Sequence, residues 1–206
     1  MFVAVEGIEG SGKSTLVEGL ARRLREEGHQ VVTTREPGGT PVGDAIREIF
    51  LNRSIAIEPL TESLLVNAAR AQHVETLIRP MLALGRFVIC DRYTDSTLAY
   101  QGYGRDLDLQ MLRELCRTAT SGLEPQLVLL LDAPVAAARA RLRERSAAFD
   151  RIENEDEVFH ERVRRGFLAL AQNSPSHRVL DASLSPDALL ERALSEVRRV
   201  SSAFAP

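Results

Sequence analysis

The chain has 206 residues, of which 44% are hydrophobic and 27% charged, and this composition fits one globular domain with a sizeable core. A formal net charge of −3 argues against a general nucleic-acid binder. No apolar run is long enough to span a membrane, and the N-terminus lacks the pattern of a secretory signal, so we expect a cytoplasmic protein that binds neither membranes nor nucleic acid.

Short apolar runs alternate with helical patterns along the chain. Strands are predicted at 2–5, 30–34, 87–90, 127–131 and 178–180. Helices are predicted from Leu16 to Leu24, and at 42–51, 61–84, 107–120, 134–145, 154–172 and 186–202. Apolar strands separated by helices indicate a three-layer α/β fold with a mostly parallel sheet, and no linker divides residues 1–206. Cys90 and Cys116 lie within such patterns, which predicts two buried, reduced thiols.

The segment after the first strand matches a phosphate-binding loop. Residues 7–14 read G-x-x-x-x-G-K-S between a predicted strand and a predicted helix, which is the context that this motif requires. Lys13 is the only lysine beside 25 arginines, and a compact ammonium suits the β- and γ-phosphates of a nucleotide better than a planar guanidinium does. The candidate ATP-binding residues are Gly7, Ile8, Glu9, Gly10, Ser11, Gly12, Lys13, Ser14 and Thr15.

A carboxylate at the end of a second apolar strand predicts a magnesium site. Asp91 follows the run Phe87–Cys90, and with the Ser14 hydroxyl it could hold Mg²⁺ beside the phosphates. The alternative is that Asp91 merely caps the next element. Guanine-specific GTPases need an N-K-x-D motif, which a chain with its one lysine in the phosphate loop cannot contain.

Three further polar clusters are predicted near the carboxyl ends of the strands, where ligands bind in parallel sheets. They are T-R-E-P-G-G-T at 34–40, D-R-Y at 91–93 continuing to Y-Q-G at 100–102, and A-R-A-Q-H at 69–73. Together with the phosphate loop and D-R-I-E at 150–153, they resemble the bacterial thymidylate kinases along the whole length of the chain.

This resemblance implies a fold, an activity and a set of roles. The fold would be that of P-loop kinases, with a five-stranded parallel sheet of order 2-3-1-4-5 and a short lid at about 141–152. The activity would be transfer of the ATP γ-phosphoryl group to dTMP, with Mg²⁺, by a homodimer. The implied substrate-binding residues are Glu9 near the sugar 3′-hydroxyl, Glu36, Pro37, Arg47 and Arg92 at the phosphate, Val66, Arg70 at the thymine edge, Thr97, Tyr100 and Gln101.

The resemblance also implies a catalytic arginine in the lid. Family members without a basic residue inside the phosphate loop carry that arginine in the lid, and Gly10-Ser11 places this chain with them. Arg145 and Arg151 are the first candidates and Arg141 is the next, beside Lys13 and Arg92 as catalytic residues. The alternative for the whole arginine cluster is a solvated helix face.

One position departs from the family pattern. An aromatic residue usually stands four positions before the arginine that corresponds to Arg70, and here that position is Val66. Either another ring stacks on thymine or the position is open.

The residues alone are also compatible with two other functions. A P-loop and a lid would serve a kinase for another nucleoside monophosphate or for a small hydroxylated metabolite. A nucleotide-dependent switch or assembly ATPase without a phosphoryl acceptor is the alternative from a different class.

Overall fold

A computed structural model describes residues 1–145, 148–172 and 174–203 of the chain. At its centre is a parallel five-stranded sheet of order β2-β3-β1-β4-β5, as predicted. The strands are β1 (Phe2–Glu6), β2 (Val31–Arg35), β3 (Phe87–Asp91), β4 (Leu127–Asp132) and β5 (His177–Asp181). Helices lie on both faces of the sheet, so this is a three-layer α/β fold.

The helices follow the predicted order with small shifts at their ends. They are α1 (Lys13–Glu26), α2 (Pro41–Leu51), α3 (Pro59–His73), α4 (Arg79–Ala83), α5 (Thr94–Thr97), α6 (Leu109–Thr120), α7 (Val135–Glu144), α8 (Glu157–Gln172) and α9 (Pro186–Ala203). No described helix is both long and apolar enough to cross a bilayer.

Two helical segments differ from the prediction. The helix predicted over 61–84 is interrupted, because α3 passes through a π-helical turn (Val74–Ile78) before α4. Pro80 has no N–H to donate to the helical ladder, which fits an interruption at this point. A second π-helical segment (Leu98–Gly104) follows α5, where no helix was predicted. Gly102 and Gly104 lower the helix propensity of this segment.

The strand register brings the polar clusters to one edge of the sheet. Asp91 at the end of β3 pairs with Val5 of β1 on one side and with Arg35 of β2 on the other. The segments that follow these three strands therefore begin side by side. They are the phosphate loop, the segment from Glu36 to Thr40, and the turn from Arg92 to Tyr93.

The core supports this edge. Central strands β1 and β4 are almost fully buried on both faces, as their continuous apolar runs predict. Cys90 and Cys116 are both buried free thiols, as predicted.

Candidate active site

A cavity of about 250 Å³ opens at this edge of the sheet. Its walls come from the phosphate loop, the segment after β2, α2, α3, the turn after β3 and the region around the predicted lid. The predicted site residues that line it are Glu9, Gly10, Lys13, Ser14, Glu36, Pro37, Arg47, Val66, Arg70, Asp91, Arg92, Thr97, Tyr100, Gln101 and Arg145. The fold therefore brings together residues that are scattered over most of the sequence.

Backbone geometry explains the glycines of the phosphate loop. Gly7 has a φ of 141°, and a Cβ atom there would lie 2.6 Å from the Leu131 carbonyl oxygen. Gly12 caps α1 in the left-handed conformation, with a φ of 96°. Only glycine adopts these conformations without strain, and together they wrap the loop around the N-terminus of α1, where anions bind.

Lys13 lies inside this loop. Its ammonium donates hydrogen bonds to the carbonyl oxygens of Gly7 at 3.1 Å and Ile8 at 2.8 Å. Burial, followed by the nearby Arg92 charge, lowers the pKa of Lys13 to about 8. A bound polyanion would favour the charged form, so the site is suited to phosphate.

Ser14 and Asp91 form a fitting site for a divalent cation. The Ser14 hydroxyl donates to Asp91 Oδ2 at 3.0 Å. The other carboxylate oxygen, Asp91 Oδ1, is buried and has no hydrogen-bond partner among the described residues. An unpartnered buried carboxylate oxygen next to a hydroxyl is a donor set that suits Mg²⁺.

Arg92 is held in an unusual conformation directly opposite the phosphate loop. Its φ of 73° lies in the left-handed region, which is rare for a residue with a Cβ atom. The guanidinium donates to Gly7 O at 2.9 Å, Ser96 Oγ at 3.1 Å and Glu9 Oε1 at 2.7 Å. It also lies over the Tyr100 ring, 5.0 Å from the centroid.

Glu9 and Tyr100, which both contact Arg92, also contact each other. The Tyr100 hydroxyl donates to the Glu9 carboxylate at 2.7 Å. Burial alone would raise the pKa of Glu9, but Arg92, Lys13, Tyr100 and His160 outweigh it and lower the pKa. Glu9 is therefore an anion at neutral pH, placed between two cations and a phenol.

Arg70 is the most heavily hydrogen-bonded of the predicted residues. It is buried and donates to Glu36 at 2.7 Å, Thr97 Oγ1 at 2.9 Å and the Tyr93 carbonyl oxygen at 2.9 Å. This network holds its guanidinium rigidly at the floor of the cavity. Glu36 completes the network by a 3.0 Å contact with His73 Nδ1.

The same network argues against a second metal centre. Glu36, His73 and Cys90 lie close enough together to share an ion. Both Glu36 oxygens, however, are already engaged by Arg70 and His73, and the Arg70 cation would repel a second positive charge.

The arginines of the predicted lid occupy different places. Arg145 lines the cavity and donates to both Glu153 oxygens at 2.8 Å. Arg141 Nη2 donates to the Ala182 carbonyl oxygen at 2.9 Å, and its Nη1 lies 3.5 Å from Gly10 O in the phosphate loop. Residues 146 and 147 of the predicted lid lie outside the described residues.

Arg151 is not brought into the cavity. Its Nε donates to the Phe50 carbonyl oxygen at 2.9 Å, its Nη1 binds the buried Glu62 carboxylate, and its guanidinium lies 5.0 Å from the centroid of the Phe50 ring. In this structure Arg151 would have to leave Glu62 to reach a nucleotide. The sequence motif alone could not distinguish this position from that of Arg145.

Several residues of the site were not predicted. Phe50 lines the cavity together with Val66, and its ring is the kind of group that the family pattern has at the position of Val66 and that this chain lacks there. Ser96 and Glu153 also line the cavity, and they matter through their contacts with Arg92 and Arg145. The D-R-I-E motif marked the neighbourhood of Glu153, whereas no sequence signal marked Phe50.

Comparisons with known proteins agree with this geometry. The profile of the thymidylate kinase family matches residues 5–193. A thymidylate kinase from Thermomicrobium roseum is 50% identical over 200 residues, which cover 97% of this chain and 95% of that protein. One from Synechococcus sp. (strain JA-3-3Ab) is 51% identical over 201 residues, covering 96% and 95%. The crystal structure of thymidylate kinase from Ehrlichia chaffeensis superposes with a TM-score of 0.78 at 30% identity, covering 96% of this chain and 98% of that one.

Proposed function

Because the chain belongs to the thymidylate kinase family, and is therefore a kinase that phosphorylates dTMP to dTDP with ATP, we propose that the cavity in front of the phosphate loop is where the γ-phosphoryl group is transferred. The observation that carries this proposal is the position of Arg92, a cation held 2.9 Å from the carbonyl oxygen of Gly7, which begins the phosphate loop. Two proposed phosphate-binding elements are thus in contact and line the same cavity. Family membership also decides between dTMP kinase and the two alternatives left open by the residues alone.

ATP is the donor and occupies the phosphate loop. The backbone N–H groups of the loop and the N-terminus of α1 cradle its phosphates. Lys13 then exchanges its contacts with Gly7 and Ile8 for phosphate oxygens. The loop residues proposed to bind ATP are Gly7, Ile8, Glu9, Gly10, Ser11, Gly12, Lys13, Ser14 and Thr15.

Mg²⁺ is proposed to sit between the Ser14 hydroxyl and Asp91 Oδ1, the buried oxygen without a partner. When bound, the ion would supply positive charge that offsets the negative charge on the phosphates. Asp91 is fixed for this purpose by the strand pairing of β3 with β1 and β2.

dTMP is the acceptor and occupies the remainder of the cavity. Arg92 and Arg47 bind its phosphate, and Glu9 lies near the sugar 3′-hydroxyl. Arg70 reaches the thymine edge from the floor of the cavity, held by the contacts with Glu36 and Thr97. The rest of the nucleoside pocket is formed by Pro37, Val66, Tyr100 and Gln101.

The reaction requires alignment more than proton transfer. The second pKa of a phosphate monoester is about 6, so the attacking oxygen of dTMP is already unprotonated near neutral pH and needs no general base. A new bond forms from this oxygen to the γ-phosphorus, while the bond from that phosphorus to the β–γ bridging oxygen breaks and ADP leaves. Lys13 and Arg92 hold the two anions in line against their mutual repulsion.

A lid at about 141–152 is proposed to supply a further cation to the transition state. Arg145 already lines the cavity, while Arg151 would contribute only after release from Glu62. Arg141, 3.5 Å from Gly10 O, is the next candidate. A cation placed at the transferring group stabilises the charge that spreads over its oxygens.

We also propose that the enzyme is a cytoplasmic homodimer. Exposed apolar side chains lie on α3 and on the two helices that pack against it. They are Leu60 and Leu64 on α3, Ile49 on α2, and Met111 on α6. A patch of this kind commonly marks a protein interface. The free thiols of Cys90 and Cys116 fit a reducing compartment.

Acceptor-dependent ADP release tests the activity. With ATP and Mg²⁺, we expect rapid ADP release on addition of dTMP and much slower release with dCMP or AMP, with dUMP as the comparison that reports on the thymine methyl group. Release that is independent of any acceptor would instead indicate an ATPase. Faster release with another nucleoside monophosphate would show that the enzyme is a kinase for that acceptor and not for dTMP.

A further inference from the structure

Glu6 is a buried carboxylate that the proposed mechanism does not use. It ends β1, directly before the phosphate loop, with a relative exposure of 1%. Because a buried charge is costly unless it is paired or hydrogen-bonded, its partners indicate its role.

Those partners all belong to the turn after β3, here the segment from Arg92 into the first residues of α5, up to Ser96. Glu6 Oε1 accepts hydrogen bonds from the backbone N–H groups of Tyr93 at 2.7 Å and Ser96 at 3.3 Å. Glu6 Oε2 accepts the Ser96 hydroxyl at 2.6 Å. One carboxylate therefore binds this turn at three points.

The turn that Glu6 binds is the one that carries Arg92. Arg92 has a left-handed φ of 73°, which costs free energy and persists only where the surroundings enforce it. The Arg92 Nη1 group donates a hydrogen bond to Ser96 Oγ, and the same Ser96 hydroxyl donates a hydrogen bond to Glu6. A continuous chain of hydrogen bonds thus runs from Glu6 through Ser96 to the guanidinium.

Glu6 also lines a second cavity, of about 410 Å³, together with residues of this turn. Asp95 lines it too, and Asp95 Oδ2 lies 2.6 Å from His177 Nε2 of β5. The other charged groups around this cavity are Arg113, Glu114 and Arg117 of α6, and Glu124. On the active-site side, the charges near Glu6 are those of Arg92 and Lys13.

We propose that ionised Glu6 is a positioning residue for the acceptor phosphate, acting through Ser96 and the 93–96 backbone to hold Arg92 in place, and that Asp95 sets the pH range over which it does so. This inference rests on the proposed role of Arg92 at the acceptor phosphate.

The electrostatics of the cluster agree with that geometry. Burial, followed by the Asp95 charge, raises the pKa of Glu6 to about 7, against the opposing effect of Ser96, Arg92 and Tyr93. A protonated Glu6 carries no charge and can no longer accept all three hydrogen bonds as strongly. Since this pKa is raised, the ionised form is lost as the pH falls through neutrality, and dTMP binding should weaken there.

Four variants test the inference, with the dTMP KM and the ATP Kd measured from pH 5.5 to 8.5. Glu6→Gln keeps the shape but removes the charge and places an amide N–H₂ against groups that donate. Asp95→Asn removes the like charge and lies outside the proposed substrate cavity. Glu124→Gln is the matched control, because Glu124 is an exposed carboxylate of the same second cavity. Arg92→Ala tests the role on which the inference rests.

Glu6→Gln should raise the dTMP KM by about tenfold at pH 8, which corresponds to the loss of one charged hydrogen bond. Its ATP Kd should stay within about twofold of wild type. Asp95→Asn should move the acid limb of the dTMP profile to lower pH by about 0.5–1 unit, because the charge that raises the Glu6 pKa is gone. The phosphate of dTMP titrates in the same range in every variant, so only a difference between variants reports on the protein.

The outcomes separate the two proposals. An unchanged dTMP KM in Arg92→Ala would overturn the role of Arg92 itself. If Arg92→Ala raises that KM but the Asp95→Asn profile coincides with those of wild type and Glu124→Gln, the inference about Glu6 is wrong. The Asp95→Asn comparison decides the matter even if Glu6→Gln does not fold.

Discussion

The single lysine of the chain illustrates how much chemistry one side chain carries. Lys13 is buried in the phosphate loop, and among the described residues its ammonium donates only to loop carbonyl oxygens, so it contributes a point charge to the site and little to the apolar core. Lys13→Ala should therefore reduce kcat to less than a tenth of the wild-type value. Its melting temperature should stay close to that of the wild-type protein. Steady-state kinetics and thermal unfolding check both parts.

Lys13→Arg is the matched comparison. The planar guanidinium is wider than an ammonium and does not fit the same pair of carbonyl oxygens, so we expect a similar loss of kcat. An active arginine variant would contradict the claim that this position requires a compact charge.

Phe50 bears on the missing aromatic residue at Val66. Both residues are buried and line the substrate cavity, and the hydroxyl of the other aromatic residue there, Tyr100, is engaged by Glu9. If the Phe50 ring packs on thymine, Phe50→Leu should weaken dTMP binding by about 0.5–1.5 kcal/mol and leave the ATP KM unchanged.

Calorimetric titration with dTMP measures this effect. Val66→Phe alone should weaken dTMP binding by overpacking the cavity, whereas in the Phe50→Leu background it should recover part of the loss. Tighter binding by Val66→Phe in the wild-type background would show instead that the position is open.

Single residues could be predicted where they belong to a sequence motif, and could not be predicted where their role depends on tertiary contacts. The phosphate loop and Asp91 were predicted because their residue types and their places after strands are tied to the chemistry itself, whereas the role of Arg92 was predicted from the family resemblance. Phe50 and Glu6 could not be, because a phenylalanine in an amphipathic helix and a glutamate at a strand end each have many ordinary roles. Only the packing of α2 and of the turn after β3 gives them these particular neighbours.

Among the elements, α7 and the chain that follows it determine which arginine can act. Arg145 lines the cavity, whereas Arg151 binds Glu62 and the Phe50 carbonyl oxygen. Arg145→Ala should lower kcat and kcat/KM together by about 10²–10⁴-fold if its charge acts mainly in the transition state. Rapid-quench or coupled steady-state assays measure both constants.

Arg151→Ala provides the contrast. Because Glu62 is buried, losing one of its cationic partners should destabilise the fold by about 3 kcal/mol, with a smaller effect on kcat than that of Arg145→Ala. If Arg151→Ala instead abolishes turnover at unchanged stability, Arg151 is the arginine that acts in the transition state. If neither variant changes kcat, neither arginine acts in the transition state.

Helices with clear periodicity could be predicted, and those built on unusual turns could not. The amphipathic pattern identified α1, α2, α6 and α9 to within a few residues. The π-helical segment Leu98–Gly104 does not follow a 3.6-residue repeat, and it owes its shape to packing on α8. A Cβ atom at Gly166 of α8 would lie 2.7 Å from the Tyr103 ring, so this close contact depends on both helices at once.

At the scale of the whole molecule, the exposed apolar patch on α2, α3 and α6 predicts a dimer. Leu64 is 50% exposed and belongs to α3, the helix that packs against both α2 and α6. Leu64→Glu places a charge in the proposed interface and should convert the protein to a monomer, as measured by light scattering coupled to gel filtration. Leu84→Glu is the control, because Leu84 at the end of α4 is 64% exposed and outside the patch. A wild-type chain that is already monomeric at micromolar concentration would contradict the prediction.

The phosphate loop and Arg92 line one cavity, and in our proposal Arg92 is the residue that identifies the acceptor site. The most direct test is therefore Arg92→Ala, with the dTMP KM measured by ADP release and the ATP Kd measured separately without acceptor. Loss of a bidentate, charge-assisted contact should raise the dTMP KM and lower kcat while the ATP Kd stays as in wild type. A variant that loses ATP affinity and keeps its dTMP KM would place Arg92 on the donor side and contradict the account.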